Sequence, residues 1–274
     1  MQHLLKIEWL KVKHYGAFKI LSILFAAGVF LANYIVYSVN KNIVSNVETG
    51  GLIQPFNLYG FERTWQTTSY TTGFLLILPA MLLIILITNE YSFRTSRQNI
   101  IDGQSRQEFI YVKLMLAILI AFISTVLVFI TAMIFGFISG TSFSFHGVEN
   151  IAYFFLKALS YNVIAVFFSV WLKKTGVVIG LYFVYLGAEN IASQLLDVWS
   201  MKLKSDGVGD FGSMGDYLPM NSSDGLLRFP DNPIKDIAAS ALPTNYYWVV
   251  LTLAIVYLAL FFWLSKRKFI KSDL

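Results

Sequence analysis

The sequence predicts an all-α membrane protein with six transmembrane helices, and two observations carry that prediction. Apolar residues make up 56% of the 274 residues and charged residues only 14%, whereas soluble domains have about a quarter charged residues. The apolar residues also gather into six segments, each long enough to cross a bilayer, since about 20 helical residues span its hydrocarbon core. These predicted spans are Ile20–Val39, Tyr70–Thr88, Leu114–Ile138, Ile151–Leu172, Val177–Val198 and Tyr246–Leu264. We therefore expect a single membrane domain over residues 1–274, with helical spans because backbone polar groups find no water in lipid.

The segment before the first span, residues 1–19, is amphipathic. Leu5, Trp9, Val12 and Gly16 recur at helical spacing, and lysines occupy the other faces. Such a segment is typical of a helix that lies in the membrane interface, with its lysines near anionic headgroups. The apolar run that follows is longer than the usual 7–15 residues of a signal peptide, so we expect it to be retained as an anchor.

The distribution of Lys and Arg predicts the orientation. With the N-terminus inside, 14 of these residues lie in the inner segments and 6 in the outer loops. Because an excess of Lys and Arg marks the cytoplasmic side, both termini and Arg97 are expected in the cytoplasm, and Asn46 and Met214 outside. The net charge of +5 is therefore a topology signal, and nucleic-acid binding is not expected.

A polar interruption of 25 residues, residues 89–113, separates the second and third spans. Thr95 or Ser96 is placed to cap a short helix over Arg97–Ile101, and Gly103 is placed to end it in the left-handed conformation. An ordinary basic loop is the alternative interpretation. The length argues against a simple loop, because adjacent helices are usually joined by about 2–8 residues.

Two features complete the inner segment. Ser105 and Glu108 have the spacing of a capping box that starts the third span. Ile100 and Ile101 are suited to dock on an apolar surface, while the neighbouring arginines are suited to polar or phosphate groups. The segment is thus a candidate contact for a cytoplasmic partner.

A resemblance rests on residues at the inner ends of the spans and at the chain end: Glu90, Tyr91, Phe93, Arg94, Thr95, Gly103, Ser105, Arg106, Lys113 and the tail Lys268–Leu274. With six spans, an interfacial N-terminal segment and a long outer segment before the last span, they resemble type-2 ABC exporter permeases. The general form is most similar to bacterial permeases of the bacteriocin-immunity, antibiotic-efflux and gliding-associated kinds. The proline that is common before the Ser-Arg pair is absent, and Gly103-Gln104 stands in its place.

The resemblance implies a multi-pass permease subunit of the bacterial inner membrane. It would pair with a second copy or a homologous permease and with two separate ATPase subunits, whose closure would push on the inner segment. The residues that the resemblance places at this contact are Glu90, Arg94, Thr95, Arg97, Ile100, Ile101 and Arg106. ATP and Mg are expected on the partner, and no cofactor on this chain, because it has no G-x-x-x-x-G-K-[ST] run. The letters G-x-G-x-x-G at 207–212 fall in an outer loop and are interpreted as a flexible turn.

Two ionisable residues lie inside apolar spans, where each costs about 3 kcal/mol near a helix centre. They are Lys157 in the fourth span and Glu189 in the fifth. The short connection between these spans predicts an antiparallel hairpin that brings both residues to nearly equal depth, with Asn190 beside them. A salt bridge is expected there, either as a structural pair or as part of the translocation path.

The outer segment, residues 199–245, is long for a simple loop and contains an amphipathic piece, Ile234–Leu242, between Pro233 and Pro243. The resemblance implies that this region carries short helices that close the exit. The other outer loop, Asn40–Ser69, has no predicted role.

Two other classes of function compete with the permease. An intramembrane enzyme is disfavoured, because no span contains a His or a Ser/His/Asp set, and we expect no catalytic activity on this chain. An ion-coupled secondary transporter that uses Lys157 and Glu189 stays open as the alternative. The substrate of a permease is expected to be a peptide, a lipid or an amphipathic small molecule.

Overall fold

The computed structural model describes residues 8–13, 15–48, 57–230 and 243–272. Over these residues the fold is all-α, as predicted, and contains no strand. Nine helices follow one another: α1 Gly16–Glu48, α2 Phe61–Gly73, α3 Ile77–Ser92, α4 Thr95–Ile101, α5 Arg106–Ile138, α6 Glu149–Leu172, α7 Thr175–Ser205, α8 Asn221–Asp224 and α9 Tyr247–Lys271. Residues 8–12 form a further helical turn before α1.

Six helical stretches of the described chain are long and apolar enough to cross a membrane, which confirms the six predicted spans. Five are single helices, namely α1, α5, α6, α7 and α9. The remaining span runs from Phe61 to Ser92, because the 3₁₀ turn Phe74–Leu76 joins α2 directly to α3.

The second span begins at Phe61, nine residues before its predicted start at Tyr70, so part of the predicted outer loop Asn40–Ser69 is helical. Its first turns are rich in Thr and Ser and have low apolar content, which hid them from a search for apolar runs. They are nevertheless buried. Trp65 is fully buried and stacks on Phe129 with 5.3 Å between ring centres, and the hydroxyl of Thr67 donates to the carbonyl of Leu58 at 2.7 Å.

Helix α6 lies at the centre of the bundle. In its most apolar stretch 61% of residues are buried, and 56% in the span α2–α3, against 17% in each of α1, α7 and α9. Ala158 and Ala165 of α6 pack in one apolar cluster with Ala80 of α3 and Ala121 of α5, and such small side chains let helices approach closely in lipid. The three less buried helices present most of their surface outward.

Both ends of the described chain lie at one face of the bundle. Residues 8–12 reach the start of α5 through Glu8 and Lys113, and the end of α9 reaches the same region through Arg106. We call this the inner face, because it carries the basic segment 93–106. The assignment of that face to the cytoplasm stays a prediction from the charge distribution.

The outer segment folds back onto the opposite end of the bundle. The 3₁₀ turn Met214–Tyr217 and the short helix α8 lie between α7 and α9 along the chain and contact α6, α7 and α9. The predicted amphipathic piece Ile234–Leu242 falls outside the described residues.

Candidate functional site

The inner segment begins with a sharp reversal of the chain after α3. Arg94 adopts the left-handed conformation, with a φ of 57°, and α4 starts at the next residue. The predicted cap is therefore wrong: Thr95 is already the first helical residue, and its hydroxyl donates to the carbonyl of Glu90 at 3.3 Å. The reason is that one left-handed residue turns α3 into α4 and leaves no extended residue where a Ser or Thr could act as an N-cap.

The end of α4 is as predicted. Gly103 has a φ of 100°, the amide of Gly103 donates to the carbonyl of Ile100 at 3.1 Å, and the amide of Gln104 donates to the carbonyl of Asn99 at 3.0 Å. These two bonds form a Schellman motif, in which a left-handed glycine closes the helix. The turn directs the chain into α5 within three residues.

The predicted capping box at the start of α5 is confirmed. The amide of Glu108 donates to the Ser105 hydroxyl at 3.2 Å, and the amide of Ser105 donates to the Glu108 carboxylate at 2.9 Å. Two amides at the helix start are thereby satisfied. The segment between α3 and α5 is consequently ordered at both of its ends.

The two isoleucines of α4 differ in their surroundings. Ile100 packs against an apolar cluster that includes Ile87 of α3 and Phe109 of α5, so it holds α4 on the bundle. Ile101 is 78% exposed and Phe93 is 74% exposed. Both lie close in sequence to the exposed arginines of the segment, Arg94 and Arg97. The inner face therefore presents apolar and cationic groups side by side.

Arg106 contacts the end of α9. Its Nη1 donates to the carbonyls of Ile270 and Ser272, each at 3.1 Å, where a cation also complements the negative end of the helix. Phe109, one turn further along α5, stacks on Phe269 with 4.8 Å between ring centres and 9° between ring planes. Arg106 thus ties α5 to α9 within this chain, rather than standing out with Ile101.

Three buried charges, Glu8, Glu90 and Lys113, form a closed network behind α4 with the exposed Lys11. Lys113 Nζ lies 2.7 Å from Glu8 and 2.8 Å from Glu90, and Lys11 Nζ lies 3.2 Å from each of the same two carboxylates. Each carboxylate thus has two ammonium partners, and Lys113 is only 2% exposed. The network joins the N-terminal turn to the end of α3 and the start of α5.

The electrostatics of the network follow from its alternating charges. Burial raises the pKa of Glu8, but the ammonium groups of Lys113 and Lys11 outweigh it and hold the pKa below its usual value. Burial likewise lowers the pKa of Lys11, yet Glu90 and Glu8 raise it overall. Glu90 was predicted from the resemblance. Glu8, Lys11 and Lys113 were not predicted as its partners, although a lysine inside the apolar run FIYVKLML was a signal for a buried ion pair.

At the outer end of the bundle, the predicted pair of Lys157 with Glu189 is wrong. Lys157 Nζ lies 3.2 Å from Asp224 at the end of α8. Glu189 accepts hydrogen bonds from the backbone amides of Met220 and Asn221, the latter at 2.9 Å. The outer segment supplies both partners, because it folds back between these helices and brings a carboxylate and a helix start to the depth of the two charges.

A cavity of about 460 Å³ opens beside this cluster, and its polar wall carries charges of both signs. Lys157, Asn190 and Asp224 line it, and Asp216 lies 2.6 Å from Arg228 at its rim. Burial raises the pKa of Asp216 to about 6, although Arg228 opposes the shift. The lining also includes apolar or aromatic side chains, namely Tyr70, Phe74, Leu227, Phe229 and Pro230. Among the described residues, no cluster of three or more His, Asp or Glu side chains is placed to hold a metal ion.

The described chain is a six-span helical bundle whose inner segment contacts α3, α5, α9 and the N-terminal turn. Residues 4–189 match the family described as ABC-2 family transporter protein, and because this is more than half of the chain, the protein belongs to that family. Membership makes it a permease subunit of an ABC transporter, a kind of subunit that associates with an ABC ATPase. No curated protein matches the chain.

Proposed function

We propose that this chain is the membrane subunit of an ATP-driven exporter of the bacterial inner membrane. It acts as a dimer, with a second copy or a homologue, and with two soluble ATPase subunits that bind at α4. The substrate is a peptide, a lipid or an amphipathic small molecule. The observation that carries this proposal is the inner segment. It exposes Phe93, Ile101 and two arginines on its surface, and its other contacts fix it to the bundle.

The contacts of α4 provide a route for force. A push on α4 reaches α3 through the bond between Thr95 and the Glu90 carbonyl. Through the Glu90 carboxylate it reaches Lys113 on α5 and Lys11 in the N-terminal turn. Through Arg106 it reaches α9. A displacement of α4 therefore moves the inner ends of several helices together, which is what a switch between inward-open and outward-open states requires.

The outer cluster supports a role in the exit path. A cavity lined by both ion pairs and aromatic rings accommodates a substrate with polar and apolar parts. Helix α8, bound to Lys157 and Glu189, would have to move for such a substrate to leave. The ion-coupled transporter is not proposed, because its coupling site required a Lys157–Glu189 pair, and both residues have partners in the outer segment instead.

The test of the function is assembly with the ATPase. Ile101→Asp and Arg97→Glu should each weaken binding of the ATPase subunit by about tenfold or more. The first places a carboxylate in an apolar part of the contact, and the second reverses a charge there. The measurement is pull-down of the ATPase by the purified chain in nanodiscs, followed by ATP hydrolysis of the complex. Ile100 is unsuited to this test, because its substitution would also disturb the packing of α4.

Matched controls come from the opposite end of the bundle. Val208→Asp places the same charge at a side chain that is 66% exposed in the outer segment, and Lys202→Glu reverses an exposed charge near the end of α7. Both should bind the ATPase like the parent. If the inner variants also bind and hydrolyse like the parent, α4 is not the contact. If no ATPase can be recovered with the parent chain from its native membrane, the exporter proposal fails.

A further inference from the structure

A groove at the inner face lies between the ends of α6 and α9 and away from α4. Its volume is about 470 Å³, and its lining residues are Phe167, Trp171, Leu264, Arg267, Lys268, Lys271 and Ser272. Helix α6 contributes two aromatic rings to the lining, and α9 contributes one leucine and three cations. This division of polarity calls for an occupant that has an anionic part and a hydrocarbon part.

The three cations belong to the last turns of α9 and are exposed. Lys268 and Lys271, three residues apart, lie on the same side of the helix, and over the part of the chain that is described neither has an acidic partner. Arg267 stacks over Trp263, with 4.9 Å between its guanidinium carbon and the ring centre. Among the described residues Arg267 has no acidic partner either, and three such cations beside one groove are suited to a phosphate group.

Tryptophans fix the level of the groove in the bilayer. Trp171 and Trp263 are 47% and 49% exposed and stand near the inner ends of α6 and α9, which is the position of residues that anchor at the headgroup level. Phe167, one turn before Trp171 on α6, and Leu264, one turn before Lys268 on α9, line the groove on the side of the hydrocarbon core. Both residues belong to membrane-spanning helices, and α9 is one of the least buried spans.

We propose that this groove binds an anionic phospholipid of the leaflet at the inner face. The phosphate lies among Arg267, Lys268 and Lys271, and an acyl chain follows the outer surface of α6 and α9. A lipid fits better than a free phosphate, because Phe167, Trp171 and Leu264 form an apolar part of the lining. It fits better than a protein partner, because the apolar lining residues belong to two membrane-spanning helices, α6 and α9, near the level of the interfacial tryptophans.

The site adjoins the contact that joins α9 to α5. The carbonyls that Arg106 holds, those of Ile270 and Ser272, lie in the same final turn as Lys271. If the proposed function holds, a bound lipid is one contact away from the segment that meets the ATPase. Lipid binding itself does not require that function, and its test uses the full chain without an ATPase.

The test compares two pairs of lysines by native mass spectrometry of the full chain, released from micelles that contain dioleoyl phosphatidylglycerol and dioleoyl phosphatidylcholine in equal amounts. The parent should retain phosphatidylglycerol in preference. The double variant Lys268→Gln/Lys271→Gln should bind it about tenfold more weakly, given the contribution of each cation near a charged bilayer surface. Lys268→Arg/Lys271→Arg should bind like the parent and shows that charge, rather than folding, is responsible.

The control removes equal charge elsewhere on the same face. Lys13→Gln/Lys19→Gln changes two exposed lysines near the start of α1 and should leave binding unchanged. If both Gln pairs lose phosphatidylglycerol binding equally, the lipid is held by non-specific attraction to the basic face, and the proposed site is wrong. Displacement of the lipid by glycerol 3-phosphate at a similar concentration would show a free-phosphate site and overturn the lipid assignment. Unchanged phosphatidylglycerol binding by the Lys268→Gln/Lys271→Gln variant would overturn the placement of the phosphate among these cations.

Discussion

At the scale of single residues, the buried charges at the inner face are stabilised by partners of opposite charge. An ion removed from water costs several kcal/mol, and partners at hydrogen-bond distance offset that cost. Lys113 satisfies this condition with two carboxylates, both within 2.8 Å. Glu8 and Glu90 in turn depend on Lys113, because Lys11, their other partner, is partly exposed and 3.2 Å away.

Lys113→Met should therefore destabilise the protein by about 3 kcal/mol or more, because it leaves two buried carboxylates with a single cation. The change is close to isosteric, so lost packing contributes little. The free energy of unfolding in detergent is the quantity to measure. Lys19→Met, at an exposed position of α1, is the control and should change stability by less than about 0.5 kcal/mol. Equal effects of the two substitutions would contradict a stabilising network.

The outer cluster gives a second prediction at this scale, through double-mutant cycles. Lys157→Met and Asp224→Asn should be strongly non-additive, because each leaves the other charge without its partner. Lys157→Met and Glu189→Gln should be closer to additive, since Glu189 is bound by backbone amides. Thermal unfolding of the single and double variants provides both cycles. A larger coupling for Lys157 with Glu189 would restore the pair expected from the sequence.

The sequence located these charges but did not identify their partners. Lys157 and Glu189 stand out because they interrupt apolar spans, and helical geometry gave their depth. Their partners lie in a segment that is polar, rich in Gly and Asp, and folded back on the bundle. No periodicity marks such a segment, so the contact of Lys157 with Asp224 could not be derived from the pattern. The same holds for Glu8, which is separated from Lys113 by two complete spans.

At the scale of elements, α4 illustrates which local signals are sufficient. Its end was predictable, because a left-handed glycine is required by the turn itself. Its start was not, because the neighbouring α3 ends only two residues before α4 and the chain reverses at Arg94 in the left-handed conformation. The predicted start of α2 was wrong for another reason. Its first turns are rich in Thr, and such a helix is recognised by its burial in the bundle and not by its composition.

Gly103→Ala should destabilise the inner segment by about 1–2 kcal/mol, because an L-residue at a φ of 100° is strained. The loss should appear as faster hydrogen exchange at Gln104, whose amide closes the Schellman motif, and as weaker coupling of hydrolysis to transport. Gly187→Ala is the matched control. It lies within α7, its added methyl group meets nothing within 4 Å, and alanine favours a helix, so no loss of stability is expected. Protection of Gln104 as in the parent would contradict the assigned role of Gly103.

At the scale of the whole molecule, the inner face collects three parts that are distant in sequence. The N-terminal turn, the segment from α3 to α5 and the end of α9 are joined by the charge network and by Arg106. The six spans followed from composition and length alone, because the bilayer imposes a minimum length on every apolar helix. The arrangement of those spans did not follow, since which helix lies at the centre depends on small side chains such as Ala158 and Ala165 that carry no distinct signal in an apolar run.

The orientation of the whole bundle is the last prediction, and it rests on the basic residues of the inner face. An excess of Lys and Arg is retained on the cytoplasmic side during insertion, so position 97 should face the cytoplasm and position 208, in the outer segment, the opposite side. The chain contains no cysteine, so Arg97→Cys and Val208→Cys each introduce a single thiol. A membrane-impermeant maleimide applied to intact cells should label the cysteine at 208 at once and the cysteine at 97 only after the membrane is permeabilised. Labelling of both positions in permeabilised cells is the control for accessibility. Labelling at 97 in intact cells would show that the bundle has the opposite orientation. With α4 outside the cytoplasm no ATPase could bind there, so the same result would also refute the proposed function.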